Sequence, residues 1–408
     1  MNERIQKARE VALGILKPSQ KDLEHGLALH KEALVFESYG FTPGGGMDED
    51  ELVAAVEAGA SDQELQDLRE DMSMTRKATD PAARQEALEA WDEAGVTCVF
   101  QNAGEEHDDP KRVLRRLARY TYTSDLLRDV APRAACPDDV EQAHREGKHA
   151  FYMSANAVPL EQKWISVEDE LRYIRLFFQM GIRMMHITYN RRNVIGDGCG
   201  EASNAGLSDF GRTVVKEMNR QGVIVDVSHS GFQTSLEAAQ VSERPMVASH
   251  SGAHALNNHY RCKPDEVIKA IVDTGGYCGV CCIPRFLGGK GDISAFLDHL
   301  EYMVKNFGAD HVVIGTDVSW NPETSPKAIQ ALQSRGPKRA PWRSLWPGDG
   351  TGGEQWQKPE QKLSMAWTNW PLFTVGMVQR GMSDEDIRKV LGLNVMRVAR
   401  DAWEHRVG

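Results

Sequence analysis

The chain has 408 residues, 41% hydrophobic and 26% charged, and 59 acidic against 48 basic side chains give it a net charge of −11. That length supports one large or two ordinary domains with a substantial core. Acidic charge spread along the chain argues against nucleic acid or anionic membrane as the main partner, and no apolar run approaches the ~20 residues of a membrane span.

Residues 1 to 33 read as charged amphipathic helix without a signal-peptide core, broken at Lys17-Pro18-Ser19. Residues 33 to 37 (ALVFE) form a first short strand, followed by the turn-rich Thr42-Pro43-Gly44-Gly45-Gly46. From 48 to 95 the pattern is helical and acidic, with a capping-box signature at Ser61 and Glu64, and is expected to be a helical insertion after the first strand. Strands are then expected at 96–101, 149–155, 183–188, 223–228, 246–249, 277–283 and 311–316, mostly separated by helical stretches. The basic run Lys111 to Arg119 is expected as a solvated helix face. Eight strands alternating with helices are the count of a (β/α)8 TIM barrel, and no G-x-G-x-x-G follows any strand to favour an open doubly wound sheet. The whole chain therefore reads as one barrel domain. Residues 318 to 361, rich in Pro, Gly and Trp (Trp320, Trp342, Trp346, Trp356), form a long loop after the eighth strand, a lid or substrate wall. Helices close the chain from 362 to 403, one capped by Ser383.

Seven cysteines are odd in number and lack matched C-x2-C pairs, and Cys278, Cys281 and Cys282 lie in or just after an apolar strand. They are expected as buried free thiols, in a protein of the reducing cytoplasm.

The fifth and sixth strands each run into the tripeptide Ser-His-Ser, at 228–230 and 249–251. A parallel barrel presents its functional groups at the C-terminal ends of its strands, so His229 and His250 are directed to one mouth. The eighth strand, VVIGTD, delivers Asp317, and two imidazoles with a carboxylate make a three-ligand set that leaves an open position on zinc. Glu37, Tyr39, Glu105, Glu106, Asn156, Tyr189, Asn190 and Arg191 arrive at other strand ends. Arg261, in the polar loop after His250, carries a guanidinium suited to gripping a substrate carboxylate.

The stretches 206–231, 245–256, 309–317 and 380–398, with the Arg261 loop, resemble the membrane (renal) dipeptidase family of zinc peptidases. The resemblance runs from about Gly95 to Trp403. It implies an amidohydrolase-type barrel, usually a homodimer, that cleaves dipeptides or related small amides with two bridged zinc ions. It also implies that His229 and His250 hold one metal, that Asp317 binds the other and shuttles the proton, and that Arg261 binds the substrate's carboxylate. The chain departs from the family at three places. The first-strand His-x-Asp pair is replaced by Tyr39-Gly40-Phe41, the bridging glutamate falls on Asn156, and the substrate-orienting histidine falls on Tyr189. One zinc ion is therefore expected rather than two, on His229 and His250 with Asp317 or Asn156. Tyr39 or Tyr189 would polarise the carbonyl or donate a proton. A metal-free barrel that binds a small acid stays open as the alternative.

Overall fold

The computed structural model describes residues 2–104, 109–336 and 353–407. Eight strands form one parallel sheet in chain order. They are β1 Phe36–Gly40, β2 Cys98–Asn102, β3 Ala150–Ala155, β4 Ile182–His186, β5 Ile224–Asp226, β6 Val247–Ser251, β7 Tyr277–Val280 and β8 Val312–Ile314. Each strand pairs with its sequence neighbours through helical crossovers, which is the (β/α)8 barrel that the alternation predicts. The first strand begins three residues later than expected, because Ala33 still caps the helix Gln20–Glu32 with its N–H on the Leu29 carbonyl. Tyr39 is consequently a strand residue.

Both faces of the sheet are buried, so the strands read as near-continuous apolar runs. Inward residues from Phe36 and Phe100 round to Tyr277 and Val313 fill the cylinder. Val395, Val398 and Ala399 of the last helix, Asn394–Glu404, pack on that same cluster. Outward residues such as Val99, Met185, Val225 and Ile314 pack under the helices. Between β8 and β1 the cylinder closes through a side chain. Thr316 N–H donates to Glu37 Oε1 at 3.1 Å, and Asp317 N–H donates to the Tyr39 carbonyl at 3.3 Å.

The insertion after β1 is three helices, Glu49–Glu57, Asp62–Thr79 and Pro81–Ala94, and the Ser61–Glu64 capping box forms as predicted. The basic run Lys111 to Arg119 is not a solvated face. Arg115, Arg116 and Arg119 pair with Asp67, Glu70 and Asp71 of the insertion at 2.7, 2.7 and 2.8 Å, and Arg112 is buried against Glu70. Opposite charge on a facing helix claimed the run, and the sequence alone placed no partner there. After β8 the chain forms a helix, Pro326–Gln333, whose Ala328 packs with Leu52, Leu65 and Met72 of the insertion, and later a helix Pro359–Ser364. Trp342 and Trp346 lie outside the described residues. All seven cysteines are free, with Cys278, Cys281 and Cys282 buried. Among the described residues no helix is long and apolar enough to cross a membrane.

Inside the barrel, β7 and β8 approach the Ser249 carbonyl of β6 through Gly279 and Gly315, where a methyl group would collide with that oxygen. Overpacking at such a contact costs about 1–3 kcal/mol. Gly315→Ala is therefore expected to lower the urea midpoint by that equivalent at unchanged slope, measured by far-UV circular dichroism.

Candidate functional site

The site is built on the turn that follows β5 and on the C-terminal end of β6. Asp226, the last residue of β5, is fully buried, and its Oδ1 accepts from Ser228 N–H at 2.8 Å, Ser228 Oγ at 2.7 Å and Ser249 N–H at 3.2 Å. One carboxylate oxygen thus ties both Ser-His-Ser segments together. His250 N–H then donates to Ser228 Oγ at 3.0 Å. The β6–β7 register also shifts between Ala248 and Ser251, at the histidine.

The result brings His229 Nε2 to 3.0 Å from His250 Nε2. Arg261 Nη2 lies 3.2 Å from His229 Nε2, and a guanidinium only donates, so that nitrogen carries a lone pair. Its Nδ1 is therefore the protonated one, donating to Asn190 Oδ1 at 2.8 Å. His250 Nδ1 faces Ser249 Oγ at 2.8 Å. Burial, with the Arg261 charge second, holds both imidazoles well below their ordinary pKa. They are neutral at physiological pH, the form that binds metals.

The predicted residues gather around this pair. Tyr39 stacks on His250 with centroids 3.9 Å apart, and Tyr189 on His229 at 4.0 Å. The Tyr39 hydroxyl is buried and donates to Asn156 Oδ1 at 2.6 Å, so tyrosine and asparagine satisfy each other. Asp317 sits in the left-handed region at φ 59°, as does Asn190 at 55°. Strained backbone of this kind clusters at functional sites. Burial pushes the Asp317 carboxyl up to about 6 against the opposing charges of Arg261 and His186. Arg261 is 2% exposed, and its guanidinium turns inward, donating to the Ser228 carbonyl and, at 3.4 Å, to that of His250. Lys263 lies beside it, fully buried on the Val227 and Ser230 carbonyls at 2.6 and 2.8 Å.

Two residues escaped sequence reasoning. His186 ends β4, buried, with Nε2 2.8 Å from Asp226 Oδ2, and Asp226 itself is the second. Burial opposes the Asp226 charge, yet His186, His250 and the hydrogen bonds hold its carboxyl well below the usual range. The available signal was alternation. Both stand one pleat along from the inward residues Met184 and Ile224, so each is a polar side chain inside the cylinder.

The described donors include a set that fits one divalent ion. A paired centre needs anionic bridging, and the positions that the resemblance aligns with such ligands hold Tyr39, Phe41 and Asn156. Glu37, the carboxylate of β1, is fully buried and engaged by Thr316 and by Trp367 Nε1–H at 2.8 Å. Glu105 and Glu106 lie outside the described residues. For one ion, His186, Asp226 and His250 bring ligand atoms within 4.8 Å of one another, alone in doing so among the described residues.

A parallel barrel with histidines and carboxylates at its strand ends is a hydrolase scaffold of the amidohydrolase kind. Residues 58–335 match the membrane dipeptidase family, peptidase family M19, and the chain belongs to that family. The dipeptidase tcpJ of Claviceps purpurea is 28% identical over 282 residues, which cover 68% of this chain and 56% of that protein. The match thus spans little more than half of that relative's length. An amidohydrolase from Pseudomonas aeruginosa is similar in structure with a TM-score of 0.66 at 25% identity, covering 93% of this chain and 99% of that one. A metallo peptidase from Rhodobacter sphaeroides, liganded with a phosphinate mimic of the dipeptide L-Ala-D-Ala, shares the fold at TM-score 0.63 and 17% identity, covering 91% and 99%.

Burial pushes the Glu37 carboxyl up from 4.5 to about 8, against the hydrogen bonds from Thr316 and Trp367. The folded state therefore binds this proton more tightly than the unfolded chain does. The stabilisation is complete below 4.5 and is lost as pH rises through 8, at about 1.4 kcal/mol per pH unit. Urea titrations between pH 5 and 8 should show wild type losing stability relative to Glu37→Gln with that slope. Parallel curves would remove the assignment.

Proposed function

We propose that the protein hydrolyses a dipeptide or related small carboxylate-bearing amide with the help of one divalent metal ion, zinc by its ligand types. The observation that carries this reading is the convergence of the buried imidazoles of His186 and His250 on Asp226, with His229 beside His250 and the raised carboxyl of Asp317 nearby. His250 is the ligand common to every arrangement, with His229 on its mouth side and His186 and Asp226 on the other. A bound ion supplies Lewis acidity and a water of lowered pKa. Asp317, with a pKa near working pH, is suited to accept a proton from water as the carbon–oxygen bond forms. It then returns that proton to the amine as the carbon–nitrogen bond breaks. Arg261 makes the mouth favourable for a carboxylate through its charge, with three of its N–H donors engaged by the Ser228 and His250 carbonyls and His229. Tyr39 and Tyr189 hold the imidazole planes by stacking.

A cavity of about 470 Å³ between the loops after β7 and β8 is lined by Trp320, Trp356, Trp367, Ile283 and Val318. Because Val318 follows Asp317 directly, we assign this cavity to an apolar or aromatic part of the substrate. The segment after β8 is then a substrate wall.

One observation favours the metal-free alternative: the His229 lone pair is already taken by Arg261. A dication ~4 Å from that guanidinium would be repelled by roughly 8 kcal/mol at an effective dielectric of ~20. Turnover of a dipeptide panel before and after dialysis against a chelator separates the readings. The expected outcome is a fall in kcat of at least ~100-fold, reversed by one equivalent of zinc and abolished in His250→Ala. Turnover indifferent to chelation would establish the metal-free reaction.

A further inference from the structure

His186, Asp226 and His250 come from three neighbouring strands and are 1%, 0% and 0% exposed. Both ring nitrogens of His186 and the Oδ2 of Asp226 lack a hydrogen-bond partner among the described residues. His186 Nε2 and Asp226 Oδ2 lie 2.8 Å apart, but out of hydrogen-bonding alignment. Buried polar atoms left in this state are rare in proteins. The other carboxylate oxygen is fully occupied by Ser228 and Ser249. Outer hydrogen bonds of that kind orient a ligand carboxylate and leave its second oxygen presented.

The opposite side of His250 is closed. His229 Nε2 accepts from Arg261, and that guanidinium is anchored on the Ser228 and His250 carbonyls, so it cannot swing away without stranding both. An ion on His229 would meet a fixed positive charge. An ion on Asp226 would meet a negative one. His250 Nε2–H donates to His229 Nε2 at 3.0 Å while Nδ1 accepts from Ser249 Oγ–H, and moving the proton to Nδ1 frees Nε2 to ligate an ion.

We propose that His186, Asp226 and His250 form a single-ion site for zinc or a similar borderline divalent metal, displaced from His229 toward the barrel interior. The set has two imidazoles and one carboxylate, as in three-ligand zinc sites that keep one position open. His186 is the new ligand: it does not fall on any position that the family resemblance assigns to a metal. This location rests on the metal-assisted reading above.

Zinc stoichiometry and affinity by equilibrium dialysis, together with the visible spectrum of the cobalt-substituted protein, test the site independently of turnover. His186→Gln, Asp226→Asn and His229→Gln would be compared with wild type after circular dichroism confirms that each folds. Wild type should bind one equivalent. Asp226→Asn and His186→Gln should each weaken binding by more than ~100-fold and bleach the cobalt bands, which exceeds the effect of losing an outer partner. His229→Gln should stay within ~10-fold of wild type with its bands retained. If His186→Gln does not fold, the near-isosteric Asp226→Asn against His229→Gln still decides. Loss of the ion in His229→Gln with retention in Asp226→Asn would move the ion to the mouth side, overturning the location and leaving metal-assisted hydrolysis standing. A wild type that binds no zinc overturns the location, and dipeptide turnover in that protein would leave a metal-free hydrolase. Absence of both would overturn the location and the functional reading together.

Discussion

The Asp226 carboxylate is the constraint on which the mouth depends. A full charge at the centre of a barrel is costly unless it is paired and hydrogen-bonded. Here three donors from Ser228 and Ser249 engage one oxygen, and His186 stands against the other. Those same bonds fix the two Ser-His-Ser turns relative to each other. The direction of His229 and His250 therefore follows from Asp226 and not from the histidines. A pocket that holds its ligands in this way has little freedom to collapse, which is what preorganised chemistry requires.

Charge compensation explains the rest of the mouth. Arg261 and Lys263, both buried, donate to the carbonyls of residues 227, 228, 230 and 250. Stacked tyrosines and the Tyr39–Asn156 hydrogen bond fill the wall beside the two imidazoles. These neutral side chains satisfy one another without an ion.

Away from the mouth, the insertion after β1 and the segment after β8 support each other. Ala328 packs on Leu52, Leu65 and Met72, and Lys327 pairs with Asp50 at 2.8 Å. The basic face of the helix Pro110–Leu126 ties the insertion to the barrel through Glu70, whose carboxyl is held down to about 2 by Arg116 and Arg112 against its burial. The cavity lined by Trp320, Trp356 and Trp367 lies beside this segment, whose helix Pro326–Gln333 packs on the insertion.

The eight strands and the insertion were legible because their signals are local: short apolar runs and capping residues such as Ser61 and Ser383. The repeated Ser-His-Ser and the VVIGTD ending likewise placed His229, His250 and Asp317 at strand ends. His186 and Asp226 were not legible, because a polar residue in a short apolar strand announces its face only once the register is known. Arg261 shows the same limit from the other side. Its presence near the mouth could be read from the chain, but its bonds to the Ser228 and His250 carbonyls could not, because those residues come from separate strands. Sequence by itself determined that His229, His250 and Asp317 stand at strand ends, since the apolar runs that carry them are local signals. Only the tertiary structure decided which of them meet, because the balance of buried charge is settled between segments far apart in the chain.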